Sequence, residues 1–187
     1  MQQPDLRIAV ILGGNLNGRT GTVVSGWFLD RAASREGVTL DVLDVAELDL
    51  GDGHGAALDA FSPRVDAADG FVVVTPEYNH GYPGPLKSAI DSARKEWFAK
   101  PVAFVSYGGM SGGLRAVEQL RAVFAELHVT SVRTSVSLHN AQRTFGAQGG
   151  PVAELRGAED AVEEMVDQLA WWALSLREAR ARRPYPG

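Results

Sequence analysis

The sequence predicts a three-layer α/β sandwich in which five parallel strands lie between two layers of helices. Five short apolar runs, rich in β-branched residues, read as strands, and four are followed by segments with helical periodicity. That alternation implies a parallel sheet joined by helical crossovers. The 187 residues show no internal repeat and no linker, so residues 1–187 read as one domain, with a basic tail over 177–187 expected to fray.

The first strand is Leu6-Arg7-Ile8-Ala9-Val10-Ile11-Leu12, closed by Gly13-Gly14. A polar loop over 13–21 opens a helix with Val23, Val24, Trp27, Phe28 and Ala32 on one side, closing near Gly37. Residues 38–45 form a second strand, 49–55 a Gly/Asp-rich loop, and 56–68 a short helix. The third strand, Gly70-Phe71-Val72-Val73-Val74, runs into Thr75-Pro76; the proline has no N–H for the ladder and is expected to end the strand. Leu86, Ala89, Ile90, Ala93 and Trp97 then recur at helical spacing. Pro101 opens a fourth strand through Tyr107, a glycine loop covers 108–113, and a helix directs Leu114, Val117, Leu120, Phe124 and Leu127 inwards. Residues 130–138 read as a fifth strand, 139–150 as polar loop, and the last helix starts near Ala158 with Val162, Met165, Leu169, Trp172 and Ala173 on its apolar face. Five strands in a chain of this length give the flavodoxin-like order 2-1-3-4-5.

Composition narrows the chemistry. Hydrophobic content of 45% and charged content of 22% are those of a globular protein, and the net charge of −5 disfavours nucleic acid as a partner. Without cysteine there is no disulfide, thiolate nucleophile or thiolate-held metal. No signal-peptide pattern opens the chain and no apolar run is long enough to span a bilayer, so the cytoplasm is the expected location.

In a parallel sheet the loops after strands one, three and four emerge on one side, where open α/β sheets bind ligands. The first of them opens a helix, and helix N-termini hold anions. Asn15, Asn17, Arg19 and Thr20 add polar side chains there. Gly13-x-x-x-x-Gly18-Arg19-Thr20 resembles an ATPase phosphate loop, but Arg replaces the lysine and the third strand offers only Glu77 near a metal position. A dinucleotide fingerprint fails because position 15 is Asn, and a receiver-type acid pair is replaced by Gly13-Gly14. The second loop, with Pro76, Gly81, Pro83, Gly84 and Pro85 between Tyr78 and Tyr82, can offer irregular backbone and aromatic walls to a flat heterocycle. The third, with four glycines, permits close backbone approach.

The stretch Thr75-Pro76-Glu77-Tyr78-Asn79-x-x-x-Pro83-Gly84-x-Leu86-Lys87-x-x-x-Asp91, followed by Tyr107-Gly108-Gly109, Gly112-Gly113 and Gln119-Leu120-Arg121, resembles the signature of the NADPH-dependent FMN reductase family. The resemblance extends from about residue 6 to about residue 176. It implies an oxidoreductase that passes hydride from NADPH or NADH through FMN to a flavin, a quinone or a similar small-molecule acceptor. The alternative is an FMN-binding electron carrier or regulatory protein without steady NAD(P)H turnover. The resemblance also implies the FMN phosphate near Arg19 and Thr20, and the isoalloxazine ring against Pro76, Glu77, Tyr78 and Asn79. Further contacts would come from Tyr107, Gly108 and Gly109. Members usually carry Ser or Thr after the first glycine and often Arg two places later; here Gly14 and Leu16 stand there, leaving the phosphate to backbone N–H groups, Asn15, Asn17 and Arg19. Neither a catalytic side chain nor a metal is expected. A homodimer or homotetramer is expected both from the resemblance and from Trp97, Trp171 and Trp172, too many indoles for one helical face to bury.

Overall fold

The strands pair in the predicted order in a computed structural model that describes residues 5–14, 19–48, 56–145 and 155–187. β1 (Leu6–Leu12) lies between β2 (Val38–Asp44) and β3 (Gly70–Pro76), and β3 pairs with β4 (Pro101–Tyr107). The fifth position is shared by two short pieces, β5 (Thr130–Ser131) and β6 (Val136–Leu138), each parallel to β4. Because the chain turns to opposite sides of β1 for β2 and β3, a crevice opens where their carboxyl ends diverge.

Alternation along each strand feeds two cores. Ile8, Val10 and Leu12 face α1 (Arg19–Ala32) and the long α6 (Arg156–Arg182). Ala9 and Ile11 face the other side, covered by α2 (Ala56–Ala67), α3 (Gly84–Asp91) and α4 (Leu114–Glu126). A short α5 (Ala141–Thr144) follows β6. Every residue of β3 and β4 is buried, which is why these strands read as unbroken apolar runs rather than as alternation. At the edge, β2 leaves Val42 38% exposed while Leu43 is buried.

The proline ends β3 as expected, with Thr75 and Pro76 still paired to Ser106 and Tyr107, while other expectations need correction. The ladder survives because Val74 and Pro76 present their amide groups towards β1, which ends opposite Val74, while Glu77 donates its N–H to the Tyr107 carbonyl at 3.1 Å. The missing N–H of Pro76 therefore costs no strand bond. The fifth strand breaks because α6 takes its polar groups: the Thr134 N–H donates to Gln168 Oε1 at 3.1 Å, and its hydroxyl to Glu164 at 2.9 Å. Leu86 to Trp97 is not one helix; α3 ends at Asp91 and a 3₁₀ turn, Lys95–Trp97, restores the inward facing. Trp97 is fully buried, so it cannot serve self-association. Leu114, expected inside, is 45% exposed. The loop expected at 49–55 lies outside the described residues.

Nor does the segment 177–187 fray as expected. α6 continues to Arg182, and Arg177 donates to the Asp5 carbonyl at 2.9 Å and to Asp69 at 3.0 Å. Arg180 donates to the Ala99 carbonyl at 2.5 Å, and Tyr185 packs edge-on against Phe98 and His128. Alongside, the buried Lys100 ammonium donates to the carbonyls of Val65 and Asp66 at 2.9 and 2.7 Å, at the end of α2. Burial and the Arg180 guanidinium lower its pKa to about 8.

Candidate functional site

The crevice holds a cavity of about 430 Å³, within the range of small-molecule sites. It is lined by Thr20 and Gly21 from the first turn of α1, by Pro76, Glu77 and Tyr78 after β3, and by Tyr107, Gly108 and Gly109 after β4. Seven residues picked from three distant stretches of sequence thus meet at one edge of the sheet. Of the others, Arg19 begins α1, while Asn15 and Asn17 fall outside the described residues. Asn79 does not line the cavity.

The reason for Asn79's placement is local. Tyr78 and Gly81 exchange backbone hydrogen bonds at 2.9 and 3.1 Å around a two-residue turn. Asn79 and His80 occupy its corners with φ of 50° and 70°, the left-handed pair a type I′ turn requires. Both side chains point outwards, and Gln119 of α4 fixes the tip by donating to the His80 carbonyl at 2.8 Å. Tyr78, at the base of the turn, is 50% exposed and forms an aromatic wall. Tyr82 packs against the core instead.

Glu77 joins this loop to the next. Its carboxylate accepts from the Arg115 guanidinium at 2.7 Å and from the Arg115 N–H at 3.2 Å, so it caps α4 from outside the helix. The Glu77 side chain is only 7% exposed. Burial works to raise its pKa, but the hydrogen bonds from Arg115 and Ser111 outweigh it and hold the carboxyl below the usual carboxylate range.

The glycine loop is fixed by what surrounds it. Gly112 and Gly113 take φ of 61° and 88°, and a Cβ on Gly113 would meet Ser106 Cβ at 2.6 Å. The Asn140 and Ala141 N–H groups donate to the carbonyls of Gly109 and Gly108 at 2.8 and 3.0 Å, and His139 Nδ1 bonds the Met110 carbonyl at 2.7 Å. The Gly109 N–H has no partner among the described residues, and nothing stands within 4 Å of where its Cβ would be.

Sequence reasoning missed the fourth wall, Asn140, Ala141, Gln142 and Arg143 of α5 and its cap. The signal was present: they come just after Leu138, the carboxyl end of the fifth strand, and the strand-end rule that selected the other loops applies equally there. The Glu77–Arg115 pair had no such signal, since 38 residues separate its members. Among the described residues no cluster of potential metal ligands occurs and no helix is long and apolar enough to cross a membrane.

Comparison with known proteins adds an independent observation. The family model described as NADPH-dependent FMN reductase matches residues 6–143. A probable NADPH:quinone oxidoreductase of Oryza sativa subsp. japonica is 31% identical over 192 residues, covering 92% of this chain and 91% of the relative. An NAD(P)H-dependent FMN reductase of Schizosaccharomyces pombe is 31% identical over 147 residues, covering 71% and 73%. Among solved structures, the NADH:FMN oxidoreductase EmoB in its apo form superposes with a TM-score of 0.72 at 23% identity, over 97% of each chain. The flavoenzyme FerB of Paracoccus denitrificans gives 0.65 at 21%, over 91% of this chain and 98% of its own. These two share the fold.

Proposed function

The chain belongs to the NADPH-dependent FMN reductase family, an oxidoreductase family using NAD(P)H and FMN, and from that membership we propose that the cavity holds the FMN and that the acceptor is a quinone or a free flavin. One observation carries the assignment of the site: Thr20, Pro76, Glu77, Tyr78, Tyr107, Gly108 and Gly109 line a single cavity at the topological switch point. Bound there, FMN supplies the redox chemistry, taking hydride from NAD(P)H and handing electrons to the acceptor. The protein's part is to bind, orient and leave access. Pro76 and the Gly108-Gly109 backbone would lie beside a flat ring, Tyr78 would supply an aromatic wall, and the Gly109 N–H, without a partner among the described residues, would be available as a donor. Thr20, Arg19 and the start of α1 would receive the phosphate, and Asn15 and Asn17 belong to the same loop in the sequence. The quinone acceptor is supported by the name of the rice relative. We read residues 1–187 as one flavin-binding domain working in the cytoplasm, where reduced nicotinamide nucleotides are recycled.

The visible absorption spectrum of protein saturated with FMN tests this directly. Flavin bands that bleach rapidly on mixing with NADPH or NADH, and return on adding a quinone, are the expected result. Bands that fail to bleach point to the electron-carrier alternative, and a protein that takes up no FMN in titration refutes the reading.

Self-association belongs to the same proposal, as a homodimer or homotetramer. Trp171 and Trp172 stand edge-on with ring centroids 5.1 Å apart on the outer side of α6, 63% and 37% exposed. Such a pair marks a protein contact more often than a solvated surface. Trp171→Ala is expected to shift the sedimentation coefficient towards the monomer; an unchanged coefficient removes α6 from the interface.

A further inference from the structure

Tyr107 ends β4 and is only 7% exposed, yet its hydroxyl has no hydrogen-bond partner among the described residues. The hydroxyl oxygen itself keeps some contact with the cavity space, which is where a partner would come from. Tyr107 lines the cavity together with Thr20 and Gly21, the first turn of α1. Its hydroxyl reaches across the end of β3 to Gly14: a Cβ added to Gly14 would collide with it and would next meet Pro76 Cδ and Cγ at 3.4 and 3.6 Å. The hydroxyl therefore stands over the glycine that follows β1, where the chain leaves the sheet towards α1. α1 is 14 residues long and carries no acidic residue in its first turn, so no carboxylate of its own occupies its positive end. An unused donor and an unneutralised helix start border the same space, which suits an anion with several acceptor oxygens.

We infer that the Tyr107 hydroxyl donates a hydrogen bond to the phosphate monoester of the bound flavin nucleotide, standing where a side chain at position 14 would otherwise point. This rests on the reading of the cavity as the FMN site. Gly14 then has a definite task, which is to leave room for a hydroxyl delivered from β4. Burial, and after it the Tyr78 phenol, push the Tyr107 hydroxyl above the usual tyrosine range, so it keeps its proton at neutral pH and acts as a donor.

Flavin fluorescence titration of Tyr107→Phe, with FMN and with riboflavin, tests the assignment without recourse to turnover. The FMN Kd is expected to rise about tenfold, the effect of one charge-assisted hydrogen bond. The riboflavin Kd should stay unchanged, because riboflavin has no phosphate. The double variant Gly14→Ser/Tyr107→Phe supplies the hydroxyl from the opposite side of the same gap. Its FMN Kd should return to within about threefold of the wild type, and it is read directly against the wild type if Tyr107→Phe alone fails to fold. Unchanged FMN binding by Tyr107→Phe, equal weakening of FMN and riboflavin, or a double variant as weak as the single one would each overturn the inference. Wild-type protein that binds no FMN at all instead overturns the reading beneath it.

Discussion

Trp97→Ala is expected to remove about 3–5 kcal/mol of unfolding free energy, the cost of a large aromatic cavity in a packed interior. The indole is fully buried and meets Phe71, Phe124 and Phe61 with ring centroids at 4.6, 5.5 and 6.2 Å. Its N–H donates to the carbonyls of Ile90 and Ala93, both at 3.1 Å, so the residue also satisfies the end of α3. Total stability of a domain is about 5–15 kcal/mol, so the variant is left close to unfolding. Trp97→Phe keeps a ring in place but loses the donor and part of the buried volume, with an expected cost of about 1–3 kcal/mol. Urea denaturation followed by far-ultraviolet circular dichroism measures both; an alanine variant that loses under about 1 kcal/mol would show that Trp97 is not a keystone of that core.

Arg115→Ala is the second large effect, and it falls on stability and site together. Removing the guanidinium leaves a carboxylate whose side chain is 7% exposed with the Arg115 N–H and Ser111 as donors. The expected loss is about 2–3 kcal/mol at neutral pH, below the range for a fully buried pair because Arg115 itself is half in solvent. Glu77→Gln is milder, at about 1 kcal/mol, since the remaining cation can hydrate. The depressed Glu77 pKa sets the sign of the pH dependence. A carboxyl held below its unfolded value of about 4.3 contributes its stability in full above that pH and loses it as pH falls through the lower folded value. The gap between wild type and Arg115→Ala should therefore be constant near neutrality and close in acid. Since Glu77 lines the cavity, FMN binding to Arg115→Ala should weaken as well. A gap that stays the same down to about pH 3 would mean that the pair is not the source of the loss.

The strands are legible because burial on both faces writes itself as composition: β1, β3 and β4 are apolar almost throughout. Their order comes from alternation with helices and from chain length. Sequence misleads at places where a tertiary partner decides a local choice. Pro76 reads as a strand end and is the last residue of β3; what the sequence does not show is that the early end of β1 lets it keep a place in the ladder. The break between β5 and β6 depends on Gln168 and Glu164, some thirty residues later. Basic residues at the end of the chain look like a solvated tail, and their carbonyl and carboxylate partners, Asp5, Asp69 and Ala99, are legible only in three dimensions. At the site, the strand-end rule and the loop chemistry point to residues that converge. The α5 wall follows a strand end too, but Asn140, Gln142 and Arg143 carry no glycine or proline of their own, so the loop chemistry does not single them out. Asn79, read as a ligand contact, stands at the corner of a two-residue turn, a placement its left-handed backbone explains and its sequence context does not announce.

The anchoring of α6 divides the labour between the two ends of the sheet. Arg177 and Arg180 grip the chain just before β1, β3 and β4, and Lys100 adds a third cation at the same level. The cavity lies a full strand length away, among glycine turns and a short helix. The floor is thus held by long cations reaching across from α6, and the mouth by shorter ties of its own, Glu77 to Arg115 and Gln119 to the His80 carbonyl, so the two ends can be weakened separately by mutation.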